Sequence, residues 1–223
     1  MPRVLITGAN RGIGLEFARQ YAADGWQVIA CCRKPGEADA LKKVKGEVSI
    51  EALDVANDDQ IAKLAGRLKG QAIDLLINNA GVYGPQRGTD AAAWLEVFRV
   101  NTIAPFRLAE ALTPHVARSK HKLIVGITSL MGSLASASGS DAAIYRSSKA
   151  ALNMVMKCLS NGLKAKGITV AVYHPGWVRT DMGGPSGQVS VEESAEGLIK
   201  VIDGLTMDHT GGFLDYRGHA LPW

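Results

Sequence analysis

The chain has 223 residues, 47% of them hydrophobic and 21% charged, with a net charge of +4. That composition supplies a full core for one domain of ordinary size and excludes a disordered chain. Its apolar runs fall far short of the ~20 residues that cross a bilayer, and its basic residues are scattered without interleaved aromatics, which argues against nucleic-acid binding as the main role.

In chain order, strands are predicted over 3–7, 27–32, 48–52, 73–77, 122–128, 168–174 and 212–216. Helices are predicted over 13–23, 37–43, 58–68, 90–99, 102–119, 143–165 and 191–203. Asn57 and Ser190 stand where N-caps belong, and Gly167 stands where a helix C-terminus ends. Strands that are apolar almost throughout, alternating with helices, predict an α/β fold with a parallel sheet covered on both faces. The loosest segments are Ser133–Ser140 and Asp181–Gln188. Both follow predicted strands, on the edge where open α/β sheets bind ligands, and they are candidate substrate-site loops.

The first strand runs straight into Gly8-Ala9-Asn10-Arg11-Gly12-Ile13-Gly14 and then into a helix. Glycines allow a tight turn and a close backbone approach, and a helix N-terminus offers free N–H groups, so this context fits a dinucleotide pyrophosphate. The spacing is Gly-x-x-x-Gly-x-Gly, and a plain tight turn is the alternative. Tyr145 and Lys149 stand four apart near the start of the 143–165 helix, on one face of it. An ammonium about 4 Å from a phenolate favours the charged form by about 4 kcal/mol at an effective dielectric of about 20, enough to draw a phenol from about 10 toward 7. A tyrosine so tuned exchanges protons at neutral pH. The bland alternative is a half-buried tyrosine beside a solvated lysine.

The cysteines are Cys31, Cys32 and Cys158, odd in number and without Cys-x-x-Cys spacing, as expected of thiols in a reducing cytoplasm. No cationic leader precedes an apolar stretch, so no secretory signal is expected. The five histidines show no close metal spacing, and no metal site is expected.

Thr7-Gly8-x-x-x-Gly12-x-Gly14, Asn78-Asn79-Ala80-Gly81, Ser129, Tyr145-x-x-x-Lys149 and Pro175-Gly176 occur in the order found in short-chain dehydrogenases/reductases. The chain resembles that family over essentially its whole length. Tyr145–Asn153, Gly212–Gly218 and the Pro222-Trp223 end resemble small carbonyl reductases of the C-factor and Sniffer type. The resemblance implies residues 1–223 as a single Rossmann-type, doubly wound NAD(P)-binding domain with a seven-stranded parallel sheet flanked by helices. It implies catalysis by Asn101, Ser129, Tyr145 and Lys149, with Ser129 favoured over Thr128 and Ser133. Asn101 would hold a water connecting Lys149 to solvent, or N-cap the 102–119 helix.

The cofactor would lie along Gly8, Asn10, Arg11, Gly12, Ile13 and Gly14, along Asp54 and Val55, and along Asn79, Ala80 and Gly81. Tyr145, Lys149, Pro175, Gly176, Val178 and Thr180 would complete its contacts. Asp54 can accept from the adenine amino group, or simply begin a turn. Related enzymes that use NAD place an acid at the end of the second strand, where this chain has Cys32 followed by Arg33 and Lys34. Arg33 and Arg11 can grip a 2′-phosphate, so NADP(H) is the expected cofactor and carbonyl reduction the expected reaction.

Three functions remain open at this point. The first is an oxidoreductase reducing an aldehyde, ketone or quinone in an open pocket. The second is an NADP-binding regulatory or signalling protein with little turnover, and the third a dehydratase or epimerase on the same fold. The expected partner is a small carbonyl or alcohol, with no membrane and no nucleic acid. The resemblance allows a homodimer or homotetramer through 102–119 and 143–165, or a monomer.

Overall fold

The computed structural model describes residues 1–85 and 90–223. Seven strands form one parallel sheet: β1 (Arg3–Thr7), β2 (Gln27–Cys32), β3 (Val48–Ala52), β4 (Leu75–Asn78), β5 (Leu123–Ile127), β6 (Thr169–His174) and β7 (Phe213–Asp215). Their order is β3-β2-β1-β4-β5-β6-β7. The chain builds outward from β1 to β3, then returns to the other side of β1 and builds outward again. Between β1 and β4 the connections diverge, which opens a crevice at the strands' C-terminal ends.

Parallel strands need long crossovers, and helices supply them: α1 (Gly12–Ala23), α2 (Asp39–Lys42), α3 (Asp58–Arg67), α4 (Ala91–Phe98), α5 (Ala104–Ala117), α6 (Ala143–Leu163) and α7 (Val191–Asp203). Successive strand residues point to opposite faces. Val4, Ile6, Leu75 and Ile77 therefore join Phe17 and Tyr21 of α1 and Leu198 and Ile202 of α7 in one core. Leu5, Leu76 and Ile124 join Leu64 of α3, Leu108 and Leu112 of α5, and Leu152 and Met156 of α6 in the other. Burial on both faces explains why these strands read as unbroken apolar runs.

The expected caps form. Asn57 accepts from the Gln60 N–H at the start of α3, Ser190 accepts from the Glu193 N–H at the start of α7, and Gly167 takes φ +66°. Three elements depart from expectation. The predicted 37–43 helix is a 3-10 turn, Pro35–Glu37, followed by the single turn of α2. The predicted 73–77 strand begins at Leu75, because the Asp74 carboxylate accepts from the Arg3 N–H and pairs with His121. The helices predicted at 90–99 and 102–119 are joined by a π-helical turn, Arg99–Ile103, so Asn101 lies within a continuous helical path and caps nothing. Such π turns concentrate at functional sites because the widened turn re-aims a side chain.

Candidate active site

The glycine loop is the first wall of the crevice. Gly8 and Gly12 take φ +65° and +54°, where a side chain would be strained. Gly14 is excluded from substitution by space: a Cβ there would overlap the Gly8 carbonyl oxygen and lie 2.5 Å from Asn79 Nδ2. The Ala9 N–H donates to the Cys31 carbonyl, tying the loop to the end of β2. Ile13 is half-buried in the first turn of α1, and Asn10 and Arg11 are exposed.

The loop is also fastened to the end of β4. The N–H groups of Asn79 and Ala80 both donate to Thr7 Oγ1 at 3.0 Å, and Asn79 Nδ2 donates to the Thr7 carbonyl at 2.9 Å. Asn79 and Ala80 thus hold the mouths of β1 and β4 in register. Thr7 had no assigned role in the sequence reading, because its use depends on a partner 72 residues away.

Tyr145 and Lys149, both buried on α6, lie beside the C-terminal ends of β4 and β5. Lys149 Nζ donates to the Ile127 carbonyl at 2.8 Å and lies 5.8 Å from the centroid of the Tyr145 ring. A Cβ on Gly81 would meet Asn101 Oδ1 at 3.3 Å and Lys149 Nζ at 3.6 Å, so Gly81 leaves the gap across which these groups approach. Asn101, fully buried, accepts from the Val82 N–H at 2.9 Å and donates to the Val82 carbonyl at 2.8 Å and to Ser148 Oγ at 3.0 Å. Geometry separates the three hydroxyls at the end of β5. Thr128 Oγ1 donates to Asn153 Oδ1 and Ser133 Oγ donates to Ser136 Oγ, whereas Ser129 Oγ accepts from the Met131 N–H and its hydroxyl neighbours the Tyr145 phenol.

The expected drop of the Tyr145 pKa toward 7 is not what this arrangement produces. Burial pushes the phenol up to about 12, the Ser129 hydroxyl draws it partly back, and Tyr83 raises it again. The same burial brings the Lys149 ammonium down to about 8. The expectation rested on a cation about 4 Å from the phenolate oxygen and neglected desolvation, which disfavours the charged form of both groups. At neutral pH the phenol is protonated, the form that can give a proton to an alkoxide.

Tyr83 is the site residue that the sequence reading missed. It follows Gly81-Val82, and its ring stacks on Tyr145 with centroids 4.5 Å apart and planes at 22°. No spacing rule links positions 83 and 145.

The adenine end of the crevice is more open. Asp54, half-buried at the end of β3, accepts from the Ala56 N–H through Oδ1 at 3.0 Å, so it does begin a turn; Val55 beside it is half-buried. Arg33 is exposed just past β2. Arg11, expected to grip the same phosphate as Arg33, is turned to Asp181 at 2.9 Å, both side chains being well exposed. An exposed pair of this kind is worth about 0–1 kcal/mol and is readily exchanged for another anion.

The segment after β6 forms the opposite lip. Gly176 turns at φ +86°, Val178 is buried, and Thr180 Oγ1 accepts from the Gly183 N–H. A Cβ on Gly12 would lie 3.5 Å from Thr180 Cγ2, so this lip faces the glycine loop. Pro175, half-buried, is held through its carbonyl by the Ser194 hydroxyl at 2.6 Å.

His174, immediately before this lip, has a buried Nδ1 without a partner among the described residues. Burial lowers its pKa to about 4, against an ordinary value of 6.5. Between those values the unfolded chain binds more protons than the folded one, so stability rises with pH across the window and is lost as pH falls from about 6.5 toward 4. Urea midpoints at pH 7 and pH 5 should therefore differ more for the parent protein than for His174→Gln; equal differences would remove His174 as the cause.

A doubly wound parallel sheet with a glycine loop and a Tyr-x-x-x-Lys helix meeting at its switch point defines the class of short-chain dehydrogenases. The chain belongs to this family: the family model described as short chain dehydrogenase matches residues 2–189. Among individual proteins, it is similar to C-signal of Myxococcus xanthus, 41% identical over 154 residues covering 68% of this chain and 93% of the relative. It also resembles 1-hydroxy-2-glutathionyl-2-methyl-3-butene dehydrogenase of a Rhodococcus strain, at 34% identity over the whole of both chains. Two solved structures superpose with a TM-score of 0.93: the NADPH-bound carbonyl reductase from chicken fatty liver, 36% identical over 100% of this chain and 99% of that one, and carbonyl reductase Sniffer of Drosophila melanogaster, 32% identical over the whole of both.

Proposed function

We propose that the protein reduces a carbonyl group (an aldehyde, ketone or quinone) to an alcohol, with Tyr145 as the proton donor and residues 1–223 acting as one catalytic domain. The chain is an NADP-dependent oxidoreductase, of the kind its carbonyl reductase neighbours represent. The observation that carries the reading is the convergence of a protonated Tyr145, Ser129, Lys149 and Asn101 around Gly81 and the C-terminal ends of β4 and β5. The residues present fit the cofactor: Gly8 and Gly12 hold positive φ and Gly14 has no space for a Cβ, which leaves the backbone at the start of α1 open to a pyrophosphate. When bound, the reduced nicotinamide supplies the hydride.

Ser129 orients the substrate oxygen by donating a hydrogen bond, and Tyr145 delivers its proton to that oxygen as negative charge develops there. Lys149 then faces the phenolate left behind, and Asn101 connects it toward solvent across Gly81. Asn101 has a second role that its hydrogen bonds support directly: it fixes the backbone of Val82. Oxidation of an alcohol would need the phenolate as the proton acceptor instead.

Arg33, exposed next to Cys32, the position where an acid would serve NAD, is the residue assigned to the 2′-phosphate, with Arg11 joining it on release from Asp181. Arg33→Ala should raise the KM for NADPH about tenfold, the loss of one charge-assisted contact worth about 1.4 kcal/mol, and leave the KM for NADH unchanged. Equal efficiency of the parent with both cofactors would defeat the assignment.

The likeness to C-signal supports a second reading, an NADP-binding signalling protein with little turnover. One experiment separates the two: NADPH oxidation across aldehydes, diketones and quinones. Tight NADPH binding without oxidation in any of them would favour the second.

A further inference from the structure

The ring of Tyr83 lies against the reactive phenol, yet no motif includes it. It is held there from three directions. Asn101, itself fully buried, clamps both the N–H and the carbonyl of Val82, so the backbone entering Tyr83 cannot rotate freely. Gly84 leaves Tyr83 at φ +72°, and a Cβ there would meet Val97 Cγ2 at 2.6 Å, so the chain turns away against α4. The Tyr83 hydroxyl reaches toward Met131 Sδ at 3.9 Å, across the mouth from β5. The resulting stack on Tyr145, 4.5 Å between centroids at 22°, covers one face of the phenol.

We propose that Tyr83 is a positioning residue for the reaction, whose stacked ring holds the Tyr145 phenol at the tilt that aims its hydroxyl at the substrate oxygen. The proposal rests on the oxidoreductase reading above and extends it to a residue that does not itself exchange a proton. Stacked aromatic pairs contribute about 0.5–1.5 kcal/mol beyond their buried area, so loss of the stack corresponds to a fall in kcat of about two- to tenfold. Because an error in aim affects the chemical step rather than binding, KM and NADPH affinity should change little.

The test compares Tyr83→Leu, which keeps apolar volume, with Tyr83→Phe, which keeps the stacked ring and loses the hydroxyl. Steady-state kinetics of NADPH oxidation with a carbonyl substrate are read beside the Tyr145 ring resonances in NMR spectra, identified by their disappearance in Tyr145→Phe. Tyr83→Leu should lower kcat with KM unchanged and move the Tyr145 ring resonances as the neighbouring ring current is lost. Tyr83→Phe should restore both. Parent-like kcat in Tyr83→Leu, or Tyr83→Phe failing to restore it, would overturn the proposal. Should the parent reduce no carbonyl at all, the oxidoreductase reading falls first. In that case unmoved Tyr145 resonances in Tyr83→Leu would overturn the stack as well, and moved ones would uphold its hold on the phenol.

Discussion

Tyr145→Phe is expected to lower carbonyl reduction by about 10²- to 10⁴-fold, the usual contribution of a positioned proton donor, while NADPH binding stays nearly intact. The substitution removes one oxygen from a side chain that is 6% exposed and leaves its ring, its stack on Tyr83 and its packing in place. The phenol is protonated throughout the neutral range because burial pushes its pKa up to about 12. Its proton is therefore always available to an alkoxide, which is the stronger base. Steady-state kinetics with NADPH titrated in parallel checks both halves of the statement, and turnover that survives in the phenylalanine variant would show that another group delivers the proton.

Gly14→Ala is the second large effect. The added methyl would overlap the Gly8 carbonyl oxygen and crowd Asn79 Nδ2 at 2.5 Å. Neither can yield cheaply, since Gly8 belongs to the turn out of β1 and Asn79 fastens that turn to β4. Overpacking of this kind costs about 1–3 kcal/mol, and here the distortion also falls on the amides that would meet a pyrophosphate. A lower urea midpoint at an unchanged m-value, together with sharply weaker NADPH binding, is expected. Gly162→Ala is the contrast: Gly162 lies inside α6 with nothing within 4 Å of its Cβ position, so the same methyl should stabilise by about 0.5–1 kcal/mol. If both variants behaved alike, the space around Gly14 would not be the cause.

Much of the fold was legible because it rests on local rules. Unbroken apolar strands announced a sheet buried on both faces, and the caps at Asn57 and Ser190 marked where helices begin. The errors fell where a distant partner overrode a local signal. Asp74 left the start of β4 because it serves the Arg3 N–H and His121, and the helix break expected around Asn101 closed into a π turn, which has no sequence period of its own. The pairing of Arg11 with Asp181 was equally invisible in the sequence, because that acid is 170 positions away in the chain.

The order of short motifs along the chain pointed to the family, and neighbours within a few residues gave the strand-loop-helix that would receive a dinucleotide and the pairing of Tyr145 with Lys149 on one helix face. Three-dimensional packing settled the rest. It brought Ser129, and not Thr128 or Ser133, beside the Tyr145 phenol, set Tyr83 on that ring, and gave Asn101 the backbone of Val82 to hold. It also reversed the direction of the Tyr145 shift, because proximity in sequence sets how near a cation can come, whereas the protonation state depends on how much water is excluded from both groups, and that is known only once the chain has closed around them.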